Sequence, residues 1–336
     1  MSRTKKLSFE KINYTSRPRK QIERKILIET LQKMRPIINI EKYKYIGMGS
    51  IYYYDFIMFH KFLNINRFIS IDDKETKKRF EFNRPYQFIK FINNKSTEFL
   101  ESYKWEKNEK IFMWLDYDKG LFAENEIKED LLNDLTIVSK KCNPGDILIF
   151  TINAICPKKP NEKKHFFDRF KNYFSQDLRD IRKVIPKYYV QLLHDLAINY
   201  VNEKSEHTNL KFYQLFCFEY RDGAPMFTLG GFFDKDNSKI EKIKDLKFIS
   251  TGKEIIKIDV PLLTYYEKIY LDTHIDKVKK SIDICEKQIP VDTNNREDKI
   301  EKKLNKKIPF EISYRELKSY VEIYYRYFPQ YYEGLV

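Results

Sequence analysis

The sequence predicts an α/β fold built on a mostly parallel sheet, with an antiparallel hairpin joined to it. Three observations predict this. Short apolar runs alternate with helical stretches from about residue 42, a glycine turn directly follows the first run, and two strand-like runs flank a tight turn around Gly223. Strands separated by helices imply right-handed crossovers and parallel pairing.

The order of elements begins with a basic lead-in over residues 1–36. Between Arg3 and Arg35 stand eleven Lys/Arg against three Asp/Glu, a surplus of eight. Ile22, Ile26, Leu27, Leu31 and Met34 recur near helical spacing, which predicts an amphipathic helix over Gln21–Met34 closed by Pro36. Its apolar side is expected to cover a sheet edge, and its charged side is available to a polyanion. A core unit is expected over residues 37–235. Tyr43–Ile46 reads as its first strand, Gly47-Met48-Gly49-Ser50 as a turn, and Ile51–Leu63 as a helix with Ile51, Tyr54, Met58 and Phe62 on one face. Arg67–Ile71 is the second strand, ended by Asp72 and Asp73. A helical stretch over Glu75–Asn83 leads to a third strand near Phe88–Ile92. Ile111–Leu115 is the fourth, ended by Asp116-Tyr117-Asp118. A helix over Glu124–Ser139 precedes the fifth strand, Ile147–Ile152. Two long helices follow, His165–Val184 and Lys187–Val201, and then the hairpin Lys211–Tyr220 and Met226–Phe233. Residues 236–336 are expected to form an extension packing on that core, with a weakly ordered stretch near Val291–Lys307 and a Tyr-rich helix over Tyr314–Tyr332.

With 336 residues the chain is long enough for one large core or two modest ones, and 9 Gly and 12 Pro are too few for a low-complexity chain. No apolar leader follows the basic first residues, and the longest apolar run, Ile147–Cys156, is too short to span a bilayer, so a cytoplasmic protein without a membrane segment is expected. Cys142, Cys156, Cys217 and Cys285 lack the short paired spacing of a zinc site or disulfide framework. The net charge of +14 suits a polyanionic partner such as nucleic acid, contacted through the basic N-terminus. The joint abundance of Lys, Ile, Asn, Tyr and Phe equally fits AT-rich coding, and both readings stand.

Three features carry the chemistry. The glycine turn lets a ligand approach the backbone at a helix N-terminus. Asp72 ends the second strand 23 residues after Gly49, where such folds hold ribose hydroxyls. Asp116-Tyr117-Asp118 closes the fourth strand at the carboxyl edge, where open parallel sheets bind ligands. A dinucleotide turn needs Gly or Ala at its sixth place, where this chain has Tyr52, and no Gly-Lys-Ser/Thr triplet marks a phosphate loop.

Tyr45-Ile46-Gly47-Met48-Gly49-Ser50, Ile69-Ser70-Ile71-Asp72, Trp114-Leu115-Asp116-Tyr117-Asp118, Pro144-Gly145-Asp146 and the hairpin Asp222-Gly223 to Thr228-Leu229-Gly230-Gly231 resemble a bacterial O-methyltransferase family from about residue 40 onward. The resemblance implies a Rossmann-like class I methyltransferase sheet and S-adenosylmethionine as cofactor. It assigns Gly47, Gly49 and Ser50 to the methionine end of the cofactor, Asp72 to its ribose, and Asp116 to the place beside the reacting methyl. The sequence departs from the commoner turn of such enzymes, which has a third glycine near Ile51.

Methyl transfer depends mainly on holding the nucleophile in line. Tyr52, Tyr53 and Tyr117 are candidate aromatic walls for the sulfonium cation, Asp116 or Asp118 a candidate base, and Asp55 and Asn83 further candidate contacts to the cofactor. A Mg²⁺ site would draw on Asp116, Asp118 and Asn153, but only one candidate ends the fifth strand, and no metal is expected. Trp105, Trp114 and the Tyr-rich tail read as packed faces or as a platform for bases. The expected function is methyl transfer to an acceptor, small or macromolecular, that the residues do not identify. The alternative is a binding or effector module of bacterial defence or regulation that keeps the fold with little or no turnover.

Overall fold

The computed structural model describes residues 17–73, 77–123 and 126–327. The chain forms two compact units. Among the described residues, one covers 26–257 and the other combines 17–25 with 258–327. The division after residue 257 places the expected boundary at 235 inside the first unit.

Helix α1 (Pro18–Lys33) buries Ile22, Ile26, Leu27 and Leu31, as their spacing predicts. Lys20, Glu23 and Arg24 are buried as well, and Lys20 Nζ pairs with Glu23 at 2.9 Å. These three charges therefore do not face outward, whereas Lys33 is exposed and pairs with Glu29 at 2.6 Å. The most basic residues, 1–16, lie outside the described residues.

The first unit is an eight-stranded sheet. β1 (Lys44–Met48) leads through α2 (Tyr54–Leu63) to β2 (Arg67–Asp72), and α3 (Lys77–Asn83) leads to β3 (Ile89–Asn93). After α4 (Ser96–Ser102) comes β4 (Ile111–Gly120), then a small ribbon of β5 (Phe122–Ala123) and β6 (Glu126–Ile127), then α5 (Glu129–Lys141). β7 (Ile147–Asn153) is followed by α6 (Pro160–Phe170), α7 (Pro186–Ser205), the hairpin β8 (Lys211–Asp222) and β9 (Ala224–Asp234), α8 (Ser238–Glu241) and β10 (Ile256–Ile258). The spatial order is β10-β8-β9-β7-β4-β1-β2-β3, with β1, β2, β3, β4 and β7 mutually parallel and β9 antiparallel to both β7 and β8. This is the mostly parallel sheet with an antiparallel hairpin that the sequence predicts.

Strand alternation sorts the side chains onto two faces. Ile46, Ile71, Met113, Leu115 and Phe150 join Phe99 and Leu100 of α4, Leu131 and Leu135 of α5 and Leu192 of α7 in one core. On the other face the Tyr45 ring sits 5.0 Å from Phe56 and 4.9 Å from Phe59 of α2, both edge-on, with Phe68 and Phe112 beside it. α2 and α3 thus cover one face and α4, α5 and α7 the other.

Several boundaries differ from those expected. β1 continues through Gly47 and Met48, and α2 starts at Tyr54 because Tyr53 adopts a left-handed φ of 52°. Phe62 is exposed, and the packed side of α2 is Phe56, Phe59 and Leu63. The helix expected from 124 starts at Glu129, and Glu126–Ile127 instead pair with Phe122–Ala123 as the ribbon β5–β6, with Lys128 N–H donating to Leu121 O at 2.8 Å. α6 ends at Phe170 because Ser175 leaves the helical path, its N–H and Oγ both donating to Asp195 Oδ2 of α7 at 2.9 and 2.5 Å.

In the second unit α9 (Tyr265–Thr273), α10 (Ile275–Gln288), α11 (Arg296–Leu304) and α12 (Tyr314–Ser319) pack around Leu271, Val278, Ile282, Ile300, Leu304 and Leu317. Thr264 with Glu267, and Ser313 with Glu316, form capping boxes at α9 and α12. The stretch expected to be weakly ordered contains α11, held by Ile300 and Leu304 in that core. Tyr314 and Tyr320 are buried there too, and Tyr331 lies outside the described residues. No helix among the described residues is long and apolar enough to cross a membrane. All four cysteines are free and buried.

The amino edge of the sheet is fixed by one buried carboxylate. Glu109 accepts from Lys44 Nζ at 2.5 Å, from Tyr103 Oη at 2.7 Å and from Arg67, so the starts of β1 and β2 are tied to the approach to β4. Burial alone would raise the Glu109 carboxyl, but Lys44, Tyr103 and Arg67 outweigh it and hold it below the usual range. A depressed carboxylate adds stability above its unfolded pKa and loses it as pH falls through the folded one. Urea unfolding of the wild type should therefore weaken below about pH 4.5. Glu109→Gln should be less stable at neutral pH by roughly 2–4 kcal/mol and should show a flatter acid limb; parallel pH profiles would mean that the cluster contributes nothing.

Candidate active site

The carboxyl ends of β1, β2, β3 and β4 lie side by side. Met48 pairs with Ile71, Asp72 with Asn93, and Gly47 with Trp114, two residues before Asp116. The turn after β1 is thus flanked by the strand carrying Asp72 and the strand carrying Asp116. The order of strands reverses here, since the chain leaves β1 toward β2 on one side and returns to β4 on the other. Open parallel sheets bind ligands in that crevice.

The two glycines act through what they leave room for. A Cβ on Gly47 would lie 2.4 Å from Tyr45 Oη, and one on Gly49 would lie 2.2 Å from Ser70 Oγ. The side-chain space of Gly47 is filled by the Tyr45 ring, and that of Gly49 by Ser70 and Phe56. The Cβ positions of both glycines are therefore taken up by the protein's own side chains. At Gly49 the missing side chain lets the turn close onto Ser70, two residues before Asp72, so turn and carboxylate are neighbours.

The other expected contacts divide. Ser50 Oγ accepts from the Tyr52 N–H at 3.3 Å, and Tyr52 is partly exposed, stacked on Tyr54 at 5.5 Å. Asp55 is buried in the first turn of α2. Tyr53 belongs to the core: it is buried, its hydroxyl donates to Phe80 O at 3.1 Å, and burial pushes its phenol up to about 12. Asn83 sits exposed at the end of α3, where its amide donates to Arg79 O at 2.8 Å. That bond keeps Asn83 on its own helix, whereas Asn93 pairs directly beside Asp72.

β4 carries the most consequential irregularity. From Asp116 to Gly120 it takes four steps while β7 takes two, from Thr151 to Asn153. Two extra residues must bulge, and bulges re-aim side chains at sheet ends. Gly120 permits the close approach, because a Cβ there would lie 2.6 Å from the Asn153 carbonyl oxygen. Asp116 is half-buried at the last regular pair, and Asp118 is exposed on the bulge. Tyr117 points to the opposite face, where its hydroxyl donates to Asp134 of α5, which also accepts from Thr97 Oγ1 at 2.5 Å. Burial pushes both the Tyr117 phenol and the Asp134 carboxyl up. Tyr117 is therefore a packing residue, which corrects its expected place among the groups facing the methyl. Trp114 is fully buried, its indole N–H donating to Thr151 Oγ1 at 3.0 Å, so it offers no platform for bases.

Beside the bulge opens a cleft of about 430 Å³, walled by Asp118, Lys119 and Phe122 on the β4 side and by residues between Asn153 and Glu162 on the other. Asn153 Oδ1 accepts from the Ile155 N–H at 2.8 Å, which gives this amide a loop-holding bond. Among the described residues no group of three or more His, Cys, Asp or Glu is placed to hold a metal ion. The bulge and the cleft's far wall were not read from the sequence; the only signal was a glycine two residues after Asp118.

Packing of Tyr45 over Gly47 has a direct consequence. Gly47→Ala should lower the stability of the ligand-free protein by about 1–3 kcal/mol in urea unfolding. Unchanged ligand-free stability would show that this glycine is kept for a ligand instead.

Residues 12–336 match the model of a family described as "Putative O-methyltransferase". No curated protein matches the chain. Among solved structures, the chain is similar to LepI in complex with SAM, at 11% identity and a TM-score of 0.34, covering 61% of this chain and 46% of that one. It is similar to Trm1 from Pyrococcus horikoshii with S-adenosyl-L-methionine, at 11% identity and a TM-score of 0.41, covering 67% and 57%. It is also similar to the B. subtilis tRNA methyltransferase TrmK, at 14% identity and a TM-score of 0.33, covering 87% and 97%. The chain spans about half the length of the first two.

Proposed function

We propose, from the premise that the chain belongs to the O-methyltransferase family matched over residues 12–336, that it transfers a methyl group from S-adenosylmethionine to an acceptor hydroxyl at the crevice beside β1. The observation that carries this reading is the adjacency of the turn 49–53 and Asp72 at the point where strand order reverses.

The residues present suit the cofactor chemically. Asp72, a half-buried carboxylate, suits the two hydroxyls of a ribose, and Asn93 beside it brings an amide suited to the edge of an adenine. The turn offers backbone N–H groups ahead of α2, in reach of an amino-acid carboxylate. When bound, S-adenosylmethionine supplies an electrophilic methyl on a sulfonium. The protein's own share is placement: Asp116 at the end of β4 orients the acceptor, and the turn fixes the opposite partner, so that reaction within the site replaces encounter in solution. Asp118, exposed at the cleft, takes the proton from an acceptor hydroxyl. The enzyme works in the cytoplasm, a reading supported by four cysteines that are all unpaired.

Calorimetric titration with S-adenosylhomocysteine tests the cofactor assignment. Asp72→Ala should bind at least about tenfold more weakly than the wild type, the loss expected for a charge-assisted hydrogen-bond acceptor. Equal affinities would remove Asp72 from the site and with it the proposed cofactor position.

A further inference from the structure

The cleft beside the β4 bulge carries more positive charge than its own ion pairs use. Lys119, Lys158 and Lys159 line it together with Asp118 and Glu162. Glu162 is already engaged. Its Oε2 accepts from the backbone N–H groups of Lys158 and Lys159, each at 3.1 Å, and its Oε1 lies 3.4 Å from Lys159 Nζ. Those bonds, the Lys159 N–H first, hold its carboxyl below the usual range. Lys119 and Lys158 have no carboxylate partner among the described residues. They reach the cleft from different elements, Lys119 from the bulge and Lys158 from the segment between β7 and α6. Between them the lining is apolar, with Phe122, Cys156 and Pro157 buried and Ile155 partly exposed.

Unpaired like charges at a concave surface concentrate counter-ions. The volume falls within the range of about 300–1,000 Å³ that houses small molecules. We propose that this cleft binds the methyl acceptor as a small organic anion, with a ring-sized apolar body against Phe122 and Pro157 and a carboxylate or phosphate held by Lys119 and Lys158. The word acceptor rests on the methyltransferase reading, whereas the anion site does not. In the reaction Asp118 takes the acceptor's hydroxyl proton. The acceptor oxygen's electron pair forms the new O–CH₃ bond as the S–CH₃ bond breaks. That bonding pair stays on sulfur and leaves S-adenosylhomocysteine.

The test titrates the full chain, without cofactor, with 4-hydroxybenzoate and with phenyl phosphate, using phenol as the neutral control. At least one anion should bind more tightly than phenol, and which of the two does so identifies the anionic group. Lys119→Met and Lys158→Met should each weaken that binding about tenfold. Lys119→Arg should restore most of it, and affinity for S-adenosylhomocysteine should stay within about twofold in every variant. The proposal fails if neither anion binds, if phenol binds as well as both, or if the methionine variants bind like the wild type. It also fails if a short single-stranded oligonucleotide binds with a steep salt dependence while both aromatic anions do not, since that outcome assigns the lysines to a polymer. Absence of S-adenosylhomocysteine binding in the wild type would sink the cofactor reading alone, because the anion titration contains no cofactor.

Discussion

The reversal of strand order beside β1 is the constraint on which the rest of the molecule depends. Right-handed crossovers send α2 and α3 over one face as the chain moves from β1 to β2 and β3. They send α4 and α5 over the other as it returns to β4 and β7. Between β1 and β4 the crossovers diverge to opposite faces, the arrangement that makes a ligand crevice at the carboxyl ends of open parallel sheets. The turn after β1, Asp72, Asn93 and Asp116 all emerge along that open edge. The opposite edge is closed by Glu109 with Lys44, Arg67 and Tyr103, a cluster that ties the sheet together where no ligand is expected.

Within this frame, close backbone approaches divide the labour between packing and chemistry. Gly47 gives its space to Tyr45, whose ring is enclosed by Phe56, Phe59, Phe68 and Phe112. Gly49 gives its space to Ser70, which draws the turn toward Asp72. Gly120 lets β4 touch the Asn153 carbonyl while the residues before it bulge. The bulge separates neighbours in sequence by role. Asp118 and Lys119 line the cleft, while Tyr117 goes to Asp134 under the sheet.

How much of this was legible in the sequence follows from the range of the forces involved. The strands and their alternation were readable because apolar periodicity is local, and Asp72 could be placed because a strand end and a preceding glycine turn fix its position. A turn at Gly49 and Ser50 was readable, but the place of Gly47 inside β1 was not, since Tyr45 folds over it only once α2 supplies Phe56 and Phe59. Tyr117 resembled a site residue because it sits between two acids. Strand alternation sends it to the other face, and its partner Asp134 is 17 residues away. The bulge depends on a register between β4 and β7 that no window of sequence contains. The same holds for Ser175, which breaks a helical pattern only because Asp195 is waiting on α7.

The central claim is that the turn after β1 and the carboxylate ending β2 border one adenosyl-binding hollow. A crystal structure of the protein grown with S-adenosylhomocysteine addresses it most directly. The ribose hydroxyls should lie on Asp72 and the amino-acid end against the backbone of the turn 49–53, with the sulfur directed toward Asp116. An adenosyl group bound elsewhere, or a crevice in which Tyr52 or Tyr54 fills that space with no ligand present, would contradict it.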